Sequence, residues 1–314
     1  MRDAFARELE ALAAEDDRIV LLSGDIGNRM YDSFKGKYPD RFYNCGVAEA
    51  NMTGVAAGMA MSGLRPFTYT ITTFNTQRCF EQIRLDVCYH GVPVTIVGVG
   101  GGLSYASLGP THHACEDIAL LRAMPDMTVL CPADPMEVRA CVRAALAHDG
   151  PVYIRLGKKG EPALHDDVPD FKIGTAIDMR AGADVCLLGV GTMLGNTLEA
   201  ADILAANGIT AQVYSFPSIK PLDRATLEAA FRDFPLVASI EEHSLIGGAG
   251  AAVAEWLADN GPSAGRLLRL AVPDAFIHKA GSQKYTRKAL GLDPQAIAER
   301  VIAALGKSTK EKAS

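Results

Sequence analysis

The chain is poor in the features that would place it at a membrane, on nucleic acid or in a disulfide-bonded fold. No uninterrupted apolar run approaches the roughly 18 residues that a membrane-spanning helix needs, and aromatic residues make up only 7% of the 314 positions. Positive charge is not in excess: 31 Lys and Arg stand against 37 Asp and Glu, a net charge of −6. A broad electrostatic footprint for nucleic acid is therefore absent, and neither a nucleic acid nor a membrane is expected as partner. The one basic cluster, Lys307, Lys310 and Lys312, reads as a solvated terminus. Seven cysteines, at 45, 79, 88, 115, 131, 141 and 186, contain no Cys-x-x-Cys pair and no Cys/His ligand spacing. That excludes a zinc module and a disulfide framework, and predicts reduced, mostly buried thiols. A signal-peptide layout is missing as well, so a cytoplasmic location is expected.

What the chain does contain is alternation. Short β-rich runs occur at Ile19 to Leu22, Phe42 to Asn44, Pro66 to Thr70, Val94 to Val97, Thr128 to Leu130 and Val152 to Arg155. Helical patterns separate them, Asn51 to Met61 with its small residues and Glu137 to Ala147 after an Asp134-Pro135 start signal. This is the pattern of a parallel sheet covered by helices on both faces. A polar stretch of low periodicity follows, rich in Lys158, Lys159, His165 and acidic residues, and is expected to be a linker over 158–180. Further runs at Asp184 to Val190, Thr210 to Ser215, Leu236 to Ile240 and Leu267 to Ala271 predict a second, smaller α/β domain over 181–314. The expected architecture is thus α/β, with two three-layer domains each built on a parallel sheet.

Glycine-rich turns in such a chain raise the question of a dinucleotide. Gly189-Val190-Gly191-Thr192-Met193-Leu194 follows a strand and precedes a helix, but Leu194 stands where the third glycine belongs. The next strand ends in Tyr214-Ser215-Phe216, with no acid for a ribose, so a tight strand-to-helix turn is the better reading. Gly98, Gly100, Gly101 and Gly102 also fail the spacing and read as a flexible loop leaving a strand.

Three segments of the first domain hold candidate chemistry. Glu49, in Gly46-Val47-Ala48-Glu49-Ala50-Asn51, opens a helix; it is either a first-turn carboxylate favoured by the helix dipole or a functional acid. Phe74 lies at the mouth of a helix in Thr73-Phe74-Asn75-Thr76-Gln77-Arg78, where an aromatic also suits a core. His112 and His113 occupy a loop after a glycine-rich strand end, a place better suited to function than a helix interior.

Taken in order, these segments with Pro132-Ala133-Asp134 and Tyr153-Ile154-Arg155 resemble the C-terminal half of transketolases, and the matching part of 1-deoxyxylulose-5-phosphate synthase. The resemblance runs the whole length: 1–157 is similar to the pyrimidine-binding domain, and the region after the linker to the C-terminal domain. It implies a thiamine-diphosphate enzyme that moves a two-carbon ketol unit from a ketose-like sugar donor to an aldehyde. It also implies residue roles. Glu49 would hydrogen-bond N1′ of the cofactor's aminopyrimidine and so help remove the thiazolium C2 proton; a carboxylate suits a proton shared with a weakly basic nitrogen in a water-poor site. Phe74 would stack on the pyrimidine with Arg78 close by, His112 would bond a substrate oxygen, and Arg155, with Arg2 near it, would bind substrate phosphate.

An absence is equally informative. The family's Gly-Asp-Gly and downstream Asn, which hold Mg²⁺ and the diphosphate, have no counterpart here; Gly24-Asp25-Ile26-Gly27 is not that motif. The resemblance therefore implies a partner subunit that carries the diphosphate and Mg²⁺ site, an α2β2 assembly, and Asp25 at the subunit interface near the cofactor. Two departures concern the substrate: Leu108 stands where the family has an aspartate that reads a sugar hydroxyl, and Gly100 where it has a phosphate-facing histidine. An ordinary ketose phosphate is then a less expected substrate. Two other readings stay open, the β subunit of a 2-oxo acid dehydrogenase E1 and a non-catalytic scaffold that keeps the fold alone.

Overall fold

The computed structural model describes residues 1–261 and 263–306; the basic tail at Lys307, Lys310 and Lys312 lies outside the described residues. Six strands of the first half, β1 (Ile19–Ser23), β2 (Phe42–Asn44), β3 (Arg65–Ile71), β4 (Thr95–Val99), β5 (Thr128–Leu130) and β6 (Val152–Leu156), pair in parallel in the order β5-β6-β4-β3-β1-β2. The second half adds β7 (Ile177–Arg180), β8 (Val185–Gly189), β9 (Ala211–Ser215), β10 (Ser218–Lys220), β11 (Leu236–Ser244) and β12 (Arg266–Val272). Five of these form a second sheet, ordered β12-β11-β8-β9-β7.

Alternation along the strands fixes the layers. In β1, Ile19 and Leu21 point into one core with Phe5 and Leu9 of the helix Arg2–Ala13 and Val138 and Val142 of the helix Pro135–Leu146. Val20 and Leu22 point the other way, onto Met52, Ala56 and Ala60 of the helix Glu49–Met61. Both faces of the strand are covered, as a period of two requires when helices lie on each side. Burying each such Leu or Ile contributes about 1.5–3 kcal/mol. The helix Pro135–Leu146 starts where the sequence predicts: Asp134 caps it by accepting from Met136 N (2.9 Å) and Glu137 N (2.8 Å), with Pro135 in the first turn.

Two features depart from the expected pair of independent parallel sheets. The stretch expected as linker already contains β7, which runs antiparallel to β9, so the second sheet begins at Ile177. More consequentially, β10 leaves the second half and pairs antiparallel with β5, making the first sheet seven-stranded. Phe216 and Ile219 join the same buried cluster as Val129, Cys186 and Leu188, so the halves share one core rather than touching at a surface. The cysteines behave as expected: all seven are free and only Cys45 is not fully buried.

Candidate active site

The candidate residues gather at the carboxyl ends of β1, β3, β4 and β6, the edge at which open parallel sheets carry their sites. Glu49 is the first residue of its helix, so the helix N-terminus favours its negative charge. It is buried, 5% exposed, and its nearest cation is Arg78, whose Nε stands 3.8 Å from Oε2, too far for a hydrogen bond. Gly24 lies against this carboxylate: a Cβ there would sit 2.9 Å from Thr70 and 3.4 Å from Glu49 Cγ. The hydroxyls of Thr70, Thr72 and Thr73, at the end of β3 and the start of the following helix, are buried without a partner. Of these, only Thr70 is placed next to Glu49, across Gly24; Thr72 Oγ1 lies instead by Gly98 and the Tyr153 ring. Buried hydroxyls without a partner are costly.

Phe74 and His112 meet edge to face, with ring centroids 5.5 Å apart, although they come from different segments. His112 also meets the Tyr105 ring edge to face at 6.0 Å, and its Nδ1 lies 2.9 Å from the Thr111 hydroxyl. His113 turns inward instead: it is buried, with Nε2 3.3 Å from the Ala106 carbonyl. Beyond Tyr105 stands Lys158, its Nζ 4.7 Å from the ring centroid. Arg2 acts on this end through its charge: burial raises the phenols of Tyr69 and Tyr105, and the positive charge of Arg2 offsets part of each shift. Its Nε is buried without a hydrogen-bond partner, and no acid pairs with it among the described residues.

Other predicted site residues are placed differently. Arg155, expected to bind substrate phosphate, is 5% exposed and is spent inside the protein. Its Nε donates to Asp117 Oδ2 (2.7 Å) and its Nη2 to the carbonyls of Ala114 (2.8 Å) and Glu242 (2.9 Å), so that expectation does not survive the geometry. Burial opposes its charge, but Asp117 and the neighbouring Cys131 and Tyr153 together more than offset it and raise the guanidinium above its ordinary value. Asp25 is exposed, adopts the left-handed region (φ 58°) and accepts from Asn44 Nδ2 at 2.9 Å; Asn44 in turn accepts from Gly46 N at 3.0 Å. Leu108 lies at the rim, 51% exposed. Gly100 is buried with φ +84°, and a Cβ there would fall 2.0 Å from the Tyr105 ring: the phenol ring already fills that space. The segment from Gly98 to Gly102 is no flexible loop either. Gly100 N and Gly101 N both donate to Leu156 O at 2.9 Å, and Gly102 pairs with Ala114.

Sequence reasoning missed Tyr105 and Lys158. Lys158 was counted among linker residues, yet it follows β6 by two positions, and that place at the carboxyl end of a parallel strand was the available signal. Tyr105 offers no comparable signal.

Comparison with known proteins settles the family. Residues 1–161 match the transketolase pyrimidine-binding domain and residues 174–297 the transketolase C-terminal domain. The chain belongs to the transketolase family. It is 38% identical over 314 residues to a 6-deoxy-6-sulfo-D-fructose transketolase subunit of Clostridium sp. (strain MSTE9), covering 99% of this chain and 95% of that one. It is 33% identical to an apulose-4-phosphate transketolase subunit of Actinobacillus succinogenes, over 94% and 95% of the two chains. Against 1-deoxy-D-xylulose-5-phosphate synthase 1 of Geobacter sulfurreducens the identity is 37%, but the chain spans only 48% of that protein. Among solved structures, a split-gene transketolase described as an inactive β4 tetramer is 37% identical with a TM-score of 0.87, covering 97% of each chain. A Pichia stipitis transketolase, 21% identical with a TM-score of 0.80, shares the fold over 98% of this chain and 46% of its own. This transketolase chain is accordingly a subunit of a thiamine-diphosphate-dependent transferase, and the dehydrogenase and scaffold readings are not favoured. No helix among the described residues is long and apolar enough to cross a membrane, and no cluster of His, Cys, Asp or Glu among them is arranged to hold a metal.

Proposed function

We propose that the chain is the pyrimidine-binding subunit of a transketolase that moves a two-carbon ketol unit from an anionic ketose-like donor to an aldehyde. One observation carries this reading: the Glu49 carboxylate, buried at a helix N-terminus, makes no hydrogen bond among the described residues and lies across Gly24 from the unpartnered Thr70 hydroxyl. An aminopyrimidine ring nitrogen would give that carboxylate its partner. When bound, thiamine diphosphate supplies the carbon nucleophile that adds to the donor ketone. Glu49 would hold the proton at N1′ of the pyrimidine, and Phe74 would stack on the ring, a contact worth about 1 kcal/mol beyond the area it buries. Arg78 would stand beside this carboxylate, its Nε lying 3.8 Å away.

His112, turned edge-on to Phe74, would donate to or accept from the oxygen at the reacting carbon. Lys158, which lies over the Tyr105 ring, and Arg2, whose charge acts on the same phenol, would take the anionic end of the substrate in place of Arg155. The names of two relatives, a sulfo-fructose transketolase and an apulose-4-phosphate transketolase, describe substrates with such an anionic end. Leu108 at the rim and Tyr105 over Gly100 make this end less polar than one built to read a sugar hydroxyl, so the donor is unlike an ordinary ketose phosphate in at least one oxygen. The domain division near residues 157 and 180 carries over with β7 and β10 reassigned as described.

The diphosphate and its Mg²⁺ belong, in this reading, to an N-terminal partner subunit in an α2β2 assembly, with the exposed Asp25 at the junction. Isothermal titration of thiamine diphosphate and Mg²⁺ tests it. The chain alone should bind weakly and the pair tightly; tight, Mg²⁺-dependent binding to the isolated chain would refute the division of labour. A donor panel assayed with the pair then identifies the substrate.

A further inference from the structure

The second domain supplies none of the residues assigned above, yet it grips both ends of the loop that carries Tyr105, Leu108 and His112. At the leading end, a Cβ on Gly102 would lie 2.6 Å from the carbonyl oxygen of Glu242 and from its Oε2, so the loop backbone is in direct contact with that residue. Gln283 Nε2 donates to Glu242 Oε2 (2.8 Å) and reaches Ser104 Oγ (3.4 Å). At the trailing end, Arg155 joins Ala114 O to Glu242 O through one nitrogen, and Ser244 N donates to Cys115 O at 2.8 Å. Glu242 itself is 1% exposed and held by Arg287 Nε at 2.7 Å, whose other nitrogens are tied to Asn196 and Thr192 of the second domain.

We propose that the second domain shapes the substrate end of the site through Glu242 and Arg155, which act as positioning residues for the His112 loop. Resting on the transketolase reading, this adds a role for the domain that reading leaves idle. The geometry favours it over a plain interdomain ion pair for one reason. Arg155 pairs its charge with Asp117 on its own domain, and it is the remaining nitrogen that bridges the loop to β11. A salt bridge needs only the first of these contacts; the second gives a buried N–H group its acceptors and in doing so ties the loop's Ala114 carbonyl to Glu242 of β11.

Two variants separate the possibilities. Arg155→Lys keeps a cation for Asp117 but has no second nitrogen for the two carbonyls, and Gln283→Ala removes the link from Glu242 to Ser104 at a milder site should Arg155→Lys fail to fold. In the full chain with labelled histidines, the His112 ring resonances should shift in both variants, while those of His148, which lies against Thr128 on the far side of the domain, stay in place. With the partner subunit, KM for the donor should rise about tenfold, within the range expected when reacting groups are misplaced by a fraction of an ångström. Hydrogen exchange at C2 of the bound cofactor, which depends on Glu49, should stay within about twofold of wild type, since nothing that touches the pyrimidine has moved. Unmoved His112 resonances in a folded variant overturn the proposal, as does a parallel fall of exchange, turnover and melting temperature. If instead the paired enzyme shows no C2 exchange even as wild type, the functional reading fails, and the resonances still decide the loop.

Discussion

At the mouth of the first sheet a buried glutamate side chain is left without a hydrogen bond; at the mouth of the second, a buried glutamate is fully engaged. Glu49 has only Arg78 at 3.8 Å, whereas Glu241, at the end of β11, accepts from Ala249 N (2.7 Å) and Gly250 N (2.8 Å) and so caps the helix Ala249–Asn260. Both carboxylates sit at helix N-termini, where backbone N–H groups and the dipole favour an anion. Burial raises the Glu241 carboxyl and the two amides pull it back only in part. The second sheet commits its acid to holding a helix; the first leaves its acid without a hydrogen bond among the described residues, as the proposed cofactor role requires.

The sharpest way to break this contrast is Glu49→Gln, which keeps the shape and removes the exchangeable proton. C2 hydrogen exchange and turnover should fall by about 10²- to 10⁴-fold, the usual contribution of a positioned acid or base, with the urea midpoint unchanged. An unaltered exchange rate would show that Glu49 is a first-turn carboxylate and nothing more. The reciprocal change, Glu241→Ala, strips the two amides of their acceptor. It should cost about 2–6 kcal/mol in urea unfolding, since each buried unsatisfied group costs about 1–3 kcal/mol, while C2 exchange persists.

A third carboxylate refines the picture. Burial pushes the Glu137 carboxyl up to about 7, and His165, held by Asp134 at 3.2 Å, is raised as well. Both groups bind protons more tightly in the folded chain than in the unfolded one. Stability should therefore decline as pH rises from about 4.5, the ordinary glutamate value, through 7 and the raised histidine value. Glu137→Gln should flatten that decline and gain about 1–3 kcal/mol at pH 8, one pKa unit being worth 1.36 kcal/mol. A pH profile with the same slope in wild type and variant would remove Glu137 from the account. The smallest expected effect is at the rim. Leu108→Asp should change the kcat/KM ratio between an ordinary ketose phosphate and the true donor by about tenfold in favour of the former, the worth of about one hydrogen bond. No change in that ratio would mean that Leu108 does not face the substrate.

Much of this was readable from the chain, for a local reason. Strand periodicity, the Asp134-Pro135 start and the order of the Glu49, Phe74 and His112 segments are short-range properties, and each of those residues lies where the sheet edge puts it. Contacts across long separations were not readable. Arg155 carries the charge and shape of a phosphate ligand, but Asp117, 38 residues away, neutralises it in the interior. Gly100 read as a lost contact because Tyr105, five positions on, gives no sign that its ring folds back over it. The strands β7 and β10 escaped because β7 lies inside a polar stretch and pairs antiparallel with a distant strand, and β10, two residues beyond β9, crosses to the other sheet, pairings that local pattern does not carry.

The crossing of β10 into the first sheet has a consequence for anyone dividing this chain. A fragment cut in the polar connector would lose the strand that covers β5 and present a bare ladder of Thr128–Leu130 to solvent, a template for self-association. The two halves, separable on paper, are joined in one sheet by three residues, Ser218–Lys220.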